Sequence, residues 1–173
     1  MERRFGMPDH LTRIQPLTSR ELAYIESTTR DGRIHDITFF ISRGDGFIFI
    51  AKPSYPPGLF RAPSGGVHRG EDFEAGALRE AREETGVEIQ LVRYIMRINV
   101  RFQAPDGYLD WVSHIFTARY ISGEIDPQDK HEINEARLVH LDEIPGFQEI
   151  MLATGRGGFA YRAFLMEEAL KRL

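Results

Sequence analysis

The chain has 173 residues, 42% hydrophobic and 28% charged, a composition typical of one globular domain with its own core. Its longest apolar run, residues 47–51, is far shorter than the roughly 20 residues of a membrane-spanning helix, and its start has no apolar segment that would predict a secretory signal peptide. The absence of cysteine excludes disulfides, cysteine-ligated metals and cysteine nucleophiles and is consistent with a cytoplasmic location, while a net charge of −4 argues against a general nucleic-acid binder.

The first part of the chain predicts an irregular start followed by β-hairpins. Residues 1–17 show no clear period and contain two prolines, which predicts an irregular lead-in. Residues 21–29 and 34–42 predict two strands, joined by an Asp-Gly turn at 30–33. A third strand, residues 47–51, follows a second Asp/Gly turn.

A proline-rich loop, a helix and a longer β-hairpin come next. Residues 52–64 hold four of the nine prolines and predict a loop. The helix predicted over 72–85 begins after Asp72 as N-cap and ends at Gly86. The remaining segments predict, in order, strands over 88–103 and 109–122, a loop over 123–134, a strand over 137–141 and a helix over 159–173. This order predicts one α/β domain, spanning residues 1–173, with helices packed on a sheet.

Three glutamates of the predicted helix, Glu80, Glu83 and Glu84, fall within an arc of about 100° on a helical wheel. Like charges at this spacing repel, and the C-terminal end of a helix disfavours negative charge. A hard divalent cation, Mg²⁺ or Mn²⁺, would offset both effects because it prefers carboxylate oxygens. The alternative, from the residues alone, is a solvated acidic face paired with Arg79 and Arg82.

The residues from Gly65 to Val87 favour the metal site. Gly65 is followed after five residues by Glu71, and after seven more by Arg-Glu-Ala-Arg-Glu-Glu-Thr-Gly-Val at 79–87. This pattern resembles the Nudix box, Gly-x5-Glu-x7-Arg-Glu-U-x-Glu-Glu-x-Gly-U with U aliphatic, at every fixed position. The resemblance implies an α/β/α sandwich with a mixed β-sheet. It also implies a metal-dependent hydrolase that cleaves nucleoside diphosphates linked to another moiety.

The resemblance further implies roles for residues of the box. Glu80, Glu83 and Glu84 become candidate metal ligands, and one of them is the candidate general base. The carbonyl of Ser64 becomes a further ligand. Arg79 lies four residues before Glu83 and is placed to orient it, so Glu80, Glu83 and Arg79 are the candidate catalytic residues.

Other residues in and after the box have supporting roles. Gly65 and Gly66 let the backbone turn and approach the metal closely. Glu71 is expected to anchor the loop before the helix. The family often supplies another acid from a later loop, and the spacing favours Glu132 over Glu135 as this further metal ligand.

The loop before the box is expected to bind substrate. Lys52 and Arg61 are candidates to contact phosphates, and Tyr55 is a candidate to stack on a base or ribose. The main hypothesis is a pyrophosphohydrolase of a small nucleotide derivative, such as a nucleotide sugar, an ADP-ribose-like compound or a nucleoside triphosphate. Two alternatives stay open: hydrolysis of 5′-phosphorylated or capped RNA, which the charge disfavours, and a catalytically silent nucleotide-binding regulator, which the complete set of box acids disfavours. A homodimer is also expected, because the two early strands exceed the family's minimal domain.

Overall fold

The computed structural model describes residues 1–29 and 33–173, so most of the predicted turn at 30–33 lies outside the described residues. The strands, numbered in chain order, are β1 (Asp9–Pro16), β2 (His35–Arg43), β3 (Gly46–Ala51), β4 (Ser64–Gly65), β5 (Glu88–Ala104), β6 (Gly107–Ser122) and β7 (Glu135–His140). The helices are α1 (Glu2–Phe5), α2 (Ser19–Thr28), α3 (Phe73–Thr85), α4 (Ile144–Ala153) and α5 (Gly157–Leu170). None of the helices in these described ranges is long and apolar enough to cross a membrane.

The strands form one mixed sheet in the order β1-β5-β6-β2-β3-β7, with the short β4 paired to β2. β1 is parallel to β5 and β2 is parallel to β6, whereas the other pairs are antiparallel. β5 and β6 form the long hairpin that the sequence predicts around residues 104–107. The predicted fold class, an α/β domain with helices packed on a mixed sheet, is confirmed.

Side chains of the central strand β2 alternate between two cores, as the period of a strand requires. Ile37 and Phe39 pack in the cluster that contains Ala77 of α3. Phe40 packs in the other cluster with residues of α4 and α5, including Phe147. The sheet therefore has α3 on one face and the C-terminal helices on the other.

The predicted strand at 21–29 is wrong, because this segment forms α2. The helix begins with a capping box in which the Thr18 hydroxyl accepts a hydrogen bond from the Glu21 N–H at 3.2 Å. The Glu21 carboxylate in turn accepts one from the Thr18 N–H at 3.0 Å. The spacing Thr-x-x-Glu is a helix-start signal, and it outweighs the β propensity of the β-branched residues in this segment.

Two further segments differ from the sequence prediction. The lead-in at 1–17 is not irregular, since it contains α1 and the eight-residue strand β1. Strand β1 is held in the sheet by parallel pairing with β5. Helix α4 was not predicted, because its apolar segment is short and begins with a proline in its first turn. Proline is tolerated there since the N–H it removes has no partner inside the helix.

Candidate active site

A cleft of about 1500 Å³ is lined by segments that lie far apart in the sequence. Its lining comes from α2, the start of β2, the segment from the end of β3 through β4 to the start of α3, one face of α3, one residue each of β5 and β6, the loop before β7 and the start of α5. Basic, acidic and aromatic side chains all face it. The cleft has an acidic part beside α3 and an aromatic part beside α5.

Helix α3 is fixed at both ends and packed closely on the sheet. The Asp72 side chain accepts hydrogen bonds of 3.0 Å from the backbone N–H groups two and three residues further on. Gly86 ends the helix with φ of 80°, and a Cβ there would lie 2.2 Å from the carbonyl oxygen of Asp126. Ala77 and Ala81 are fully buried, and their small size lets the helix approach the strands. These features set the direction in which the three glutamates project.

The three glutamates of the arc do not share one environment. Glu80 and Glu84 line the cleft, and the Glu84 side chain is only 6% exposed. The Glu83 side chain is 45% exposed and is not among the described residues that line the cleft. Glu80 and Glu84 are therefore the members of the arc that face a ligand-sized space.

Arg79 links the start of the box to its end. Its guanidinium donates to Glu71 at 2.9 and 3.0 Å, to Glu80 at 3.0 Å and to Glu83 at 3.0 Å. It also donates to the carbonyl oxygen of Gly66 at 3.1 Å. The guanidinium lowers the pKa of the Glu71 carboxyl to about 2. Arg79 thus holds the loop at Gly66 against the helix and fixes two acids of the arc, Glu80 and Glu83.

Glu71 also stabilises the loop on its own side. Its carboxylate accepts a hydrogen bond of 2.9 Å from the backbone N–H of His68. The contacts of Glu71 with Arg79 and His68 hold the segment between β4 and α3 in its conformation. These contacts agree with the loop-anchoring role expected for Glu71.

The carboxylate of Glu84 is buried and ion-paired. Its Oε1 lies 3.0 Å from the Lys52 ammonium, and its Oε2 accepts a hydrogen bond of 2.7 Å from the Ser64 N–H. Burial raises the pKa of the Glu84 carboxyl, and the Lys52 and Arg61 charges limit that rise. Lys52 also donates to Glu132, so one ammonium joins an acid of α3 to an acid of the loop before β7.

Arg61 and Tyr55, which are predicted to bind substrate, both contact other residues of the protein. Arg61 is buried and donates to the Tyr55 hydroxyl, to the Ala62 carbonyl at 2.7 Å and to the Ser64 hydroxyl at 2.8 Å. The Tyr55 ring packs edge-to-face on Phe159 with centroids 5.6 Å apart. Both residues line the cleft, and both also hold its wall in place.

The aromatic part of the cleft rests on a buried carboxylate that the sequence did not single out. Asp36 accepts hydrogen bonds from Trp111 Nε1 at 3.0 Å, from the Ser113 hydroxyl at 2.6 Å and from Arg162 at 2.8 Å. Burial alone would raise the pKa of Asp36, but the Arg162 guanidinium and the hydrogen bonds hold it below its usual value. The Tyr161 hydroxyl extends the network to Ser113 at 2.8 Å. This network fixes the orientation of Trp111, whose ring lines the cleft.

The acidic part has the donor chemistry for a hard divalent cation. Over residues 1–29 and 33–173, no group of three or more His, Asp or Glu side chains is gathered tightly enough to hold an ion as the side chains stand. Each acid of the arc is instead ion-paired with a cation of the chain: Glu80 and Glu83 with Arg79, and Glu84 with Lys52. The repulsion expected within the arc is therefore largely relieved inside the protein. The cleft-lining carboxylates beside the β4 backbone still fit Mg²⁺ or Mn²⁺, which take oxygen ligands.

The structure brings most of the predicted site residues to one cleft. Those that line it are Lys52, Tyr55, Arg61, Ser64, Gly65, Gly66, Glu71, Glu80, Glu84 and Glu132. Arg79 and Gly86 are not among the described residues that line the cleft, but their contacts described above position residues that do. Asp129, which sequence reasoning missed, also lines the cleft and accepts hydrogen bonds from the N–H groups of His131 and Glu132. No local spacing marks Asp129, because the fold of its loop brings it to the site.

A comparison with protein families matches residues 33–161 to the family described as the NUDIX domain. The match covers most of the chain and includes the whole box and the cleft lining from β2 to the start of α5.

Several known proteins are similar in sequence to part of this chain. The NAD-capped RNA hydrolase NudC of Pseudomonas aeruginosa is 37% identical over 105 residues, which cover 61% of this chain and 35% of that protein. NudC of Deinococcus radiodurans is 31% identical over 141 residues, 79% of this chain and 45% of that protein. The RNA pyrophosphohydrolase of Erythrobacter litoralis is 30% identical over 122 residues, 61% of this chain and 74% of that protein. The chain therefore spans less than half the length of these NudC relatives.

Solved structures share the fold at low sequence identity. A NUDIX hydrolase from Nitrosomonas europaea superposes with a TM-score of 0.53 at 19% identity, over 68% of this chain and 79% of that one. A UDP-X diphosphatase gives a TM-score of 0.53 at 16% identity, over 87% of this chain and 73% of that one. At these identities the likeness concerns the fold alone.

Proposed function

This chain belongs to the NUDIX family, and we propose that it is a divalent-metal-dependent pyrophosphohydrolase of a nucleoside diphosphate linked to another moiety. One observation carries the proposal: Glu80, Glu84 and Glu132 line the same cleft beside β4, together with the cations Lys52 and Arg61. Carboxylates coordinate a divalent ion, and the side chains of Lys and Arg bind the phosphates that such an ion accompanies.

The metal ligands we propose are Glu80, Glu84, Glu132 and the Ser64 carbonyl, with Glu83 at the edge of the set. When bound, such an ion neutralises phosphate charge and lowers the pKa of a coordinated water. The role of the carboxylates is to hold the positively charged ion in the cleft. One of the α3 glutamates accepts the proton of the attacking water as general base.

Arg79 is proposed as a positioning residue. Its guanidinium fixes Glu80 and Glu83 and joins them to Glu71 and the Gly66 carbonyl. Gly65 leaves room for the Glu80 carboxylate, and Gly86 ends α3 at the required place. These residues supply rigidity, which a catalytic carboxylate needs to hold its geometry.

The substrate class proposed is a small nucleotide derivative: a nucleotide sugar, an ADP-ribose-like compound or a nucleoside triphosphate. Lys52 and Arg61 stand beside the acids and suit the diphosphate. Tyr55 and the fixed ring of Trp111 suit a planar base, since aromatic faces stack favourably on such groups. A cleft of about 1500 Å³ has room for both halves of a dinucleotide.

A second candidate is hydrolysis of a 5′-capped or 5′-phosphorylated RNA. It is favoured by the relatives named as NAD-capped RNA hydrolases and as an RNA pyrophosphohydrolase. The net charge of −4 works against tight binding of an RNA body, because phosphate contacts supply most of that affinity. A silent nucleotide-binding regulator is disfavoured, since a binder has no need of the full set of acids. The cytoplasmic location and the homodimer stay predictions, and the first of the two strands behind the dimer argument, residues 21–29, is in fact α2.

The test is a product assay on the purified protein with Mg²⁺ or Mn²⁺. The panel contains NAD, ADP-ribose, a UDP-sugar, a nucleoside triphosphate and an RNA carrying a 5′ NAD cap. We expect one small nucleotide derivative to be cleaved at its diphosphate, and cleavage to be lost without metal. Faster turnover of the capped RNA than of any small compound would favour the second candidate. No cleavage by a protein that still binds nucleotide would favour the regulator.

A further inference from the structure

Lys52 holds a position that a divalent cation would also seek. Its ammonium lies 3.0 Å from Oε1 of Glu84 and also contacts Oε1 of Glu132. The Lys52 side chain is 15% exposed and that of Glu84 is 6% exposed, so their contact is largely shielded from water. Both acids are among the metal ligands proposed above.

We propose that Lys52 is the internal counter-ion of the metal-free site, displaced by the divalent cation into the cleft, where its ammonium binds the substrate diphosphate. The inference rests on the proposed function, since it requires a metal at Glu84 and Glu132. It assigns Lys52 two successive partners, the carboxylates and then the phosphates. Lys52 would thereby couple metal loading to substrate binding.

The ammonium and a divalent ion are mutually exclusive at these carboxylates. Both are positive and both would pair with the Glu84 carboxylate, so at a separation of a few ångströms in a shielded site they repel strongly. A lysine stem is flexible, and its charge is compact, so the head can leave while the stem stays. Metal binding must therefore include the rupture of the Lys52 contacts.

The backbone at Lys52 is held in place, so only the side chain can respond. The Lys52 carbonyl accepts a hydrogen bond of 3.0 Å from the Tyr55 N–H, and the preceding Ala51 carbonyl accepts one of 2.9 Å from Asn134. Arg61, the neighbouring cation, is anchored by hydrogen bonds from its Nε to Tyr55 and from its Nη1 to Ala62 and Ser64, so it does not move into the space beside Glu84. The displaced ammonium therefore has the open cleft as its destination.

The consequence is a coupling between metal and phosphate. A metal that binds alone leaves the Lys52 charge beside Arg61 without a carboxylate. A diphosphate in the cleft supplies the missing anion, so each ligand favours the other, and the coupling is reciprocal.

The first measurement compares lysine variants for Mn²⁺ binding alone, by calorimetry at pH 8. Lys52→Met removes the competing charge and is expected to bind Mn²⁺ at least about tenfold more tightly than the wild type. Lys52→Arg retains the charge and is expected to stay within about threefold of the wild type, because the competing cation is still present. The matched control is Lys171→Met, since Lys171 also bridges two acids, Glu167 at 2.9 Å and Glu168 at 2.7 Å, on α5 away from the cleft.

The second measurement uses the unaltered protein, so it holds even if Lys52→Met fails to fold. The chain has only three lysines, at positions 52, 130 and 171, which makes their acetylation rates easy to follow by mass spectrometry. Saturating Mn²⁺ is expected to raise the rate at Lys52 several-fold, because the amine leaves its shielded ion pair, and to leave Lys171 unchanged. Addition of methylenediphosphonate is expected to protect Lys52 again.

The outcomes separate this inference from the proposed function. Mn²⁺ binding that is equal in wild type and Lys52→Met, or an acetylation rate at Lys52 that does not rise with Mn²⁺, overturns the counter-ion role and leaves the metal site intact. A wild-type protein that binds no Mn²⁺ overturns the metal site and the inference with it.

Discussion

Gly65 and Glu80 approach each other so closely that a Cβ at position 65 would lie 2.0 Å from Oε2 of Glu80 and 2.5 Å from its Cγ. The contact joins the first residue of the box to its central acid. It explains physically why the loop before α3 needs a residue without a side chain. The Glu80 carboxylate has its observed position only because that space is empty.

We expect Gly65→Ala to displace the Glu80 carboxylate without unfolding the protein, because the obstacle is a flexible side chain and not backbone. Turnover should fall by about 10²-fold, as when charge stabilisation is lost in catalysis. Gly146→Ala in α4 is the control, since a Cβ there meets nothing within 4 Å. That variant should keep its turnover and gain up to about 1 kcal/mol of stability from the better helix former. Wild-type turnover by Gly65→Ala would show that the position of Glu80 does not matter.

Replacement of the cleft-lining glutamates tests the catalytic reading of α3. Glu80→Gln and Glu84→Gln keep the side-chain shape but remove the charge, so each should lower kcat by about 10²-fold or more. Glu74→Gln is the matched control on the same helix, because Glu74 pairs with Arg4 of α1 and is not among the described cleft-lining residues. Steady-state kinetics on a cleaved substrate give the result. Equal activities for Glu74→Gln, Glu80→Gln and Glu84→Gln would show that α3 has no catalytic role.

Metal binding should be visible as thermal stabilisation. A ligand at one hundred times its Kd that binds only the folded state adds about 2.7 kcal/mol. For a chain of this size that corresponds to a rise in Tm of about 5–10 °C. Differential scanning calorimetry with and without Mn²⁺ measures the rise, which Glu84→Gln should largely abolish. A Tm that is insensitive to millimolar Mg²⁺ and Mn²⁺ would contradict the metal site.

The sequence predicted the part of the site that is local in the chain. The box, the Asp72 cap, the Gly86 stop and the direction in which Glu80 and Glu84 project all follow from spacing within residues 65–87. Glu83 shows the limit of such a wheel, since it shares the arc but has a side chain that is 45% exposed. A wheel gives the direction of a side chain but does not tell which other segments of the chain surround it.

The rest of the site depends on contacts between distant segments. Asp36 and Arg162 are joined only when β2 and α5 pack together, and no sequence period marks them. The pairing of Lys52 with Glu84 likewise crosses from a loop to α3. Among the local elements, α2 does carry a signal in the sequence, the capping box formed by Thr18 and Glu21, and this signal outweighs the β propensity of the segment.

The Asp36 network should be a strong determinant of stability. Asp36→Asn removes the charge that Arg162 faces and weakens the hold on Trp111 Nε1, so we expect a loss of about 3 kcal/mol, the lower end for breaking a buried pair. Urea unfolding measures it, and Trp111, the only tryptophan, should report a changed environment by fluorescence. Asp110→Asn is the control, because Asp110 is exposed and pairs with Arg101 at the surface. Its stability should be nearly unchanged, as for most exposed ion pairs. Equal stabilities of the two variants would contradict the structural importance of Asp36.

Acid should destabilise the fold through His114. Burial, with a smaller contribution from the neighbouring charge of His35, lowers the pKa of His114 to about 4. Arg97 lowers it further while Asp36 opposes the change, and His114 Nδ1 lies 2.6 Å from the Tyr94 hydroxyl. Since the unfolded chain has a His pKa near 6.5, the folded state binds fewer protons between about pH 6.5 and pH 4. Stability must therefore fall as the pH falls through this window, by up to about 3 kcal/mol.

His114→Gln removes the titrating group and retains a polar partner for Tyr94, so its stability should depend less on pH than that of the wild type. The comparison is made by urea unfolding at pH 7 and pH 4.5, and the difference between the two proteins isolates His114 from the carboxylates that titrate nearby. His10→Gln, at an exposed position on β1, should reproduce the wild-type loss. If His114→Gln lost as much stability on acidification as the wild type, proton binding at His114 would not be what destabilises the fold, and another buried group would have to carry the effect.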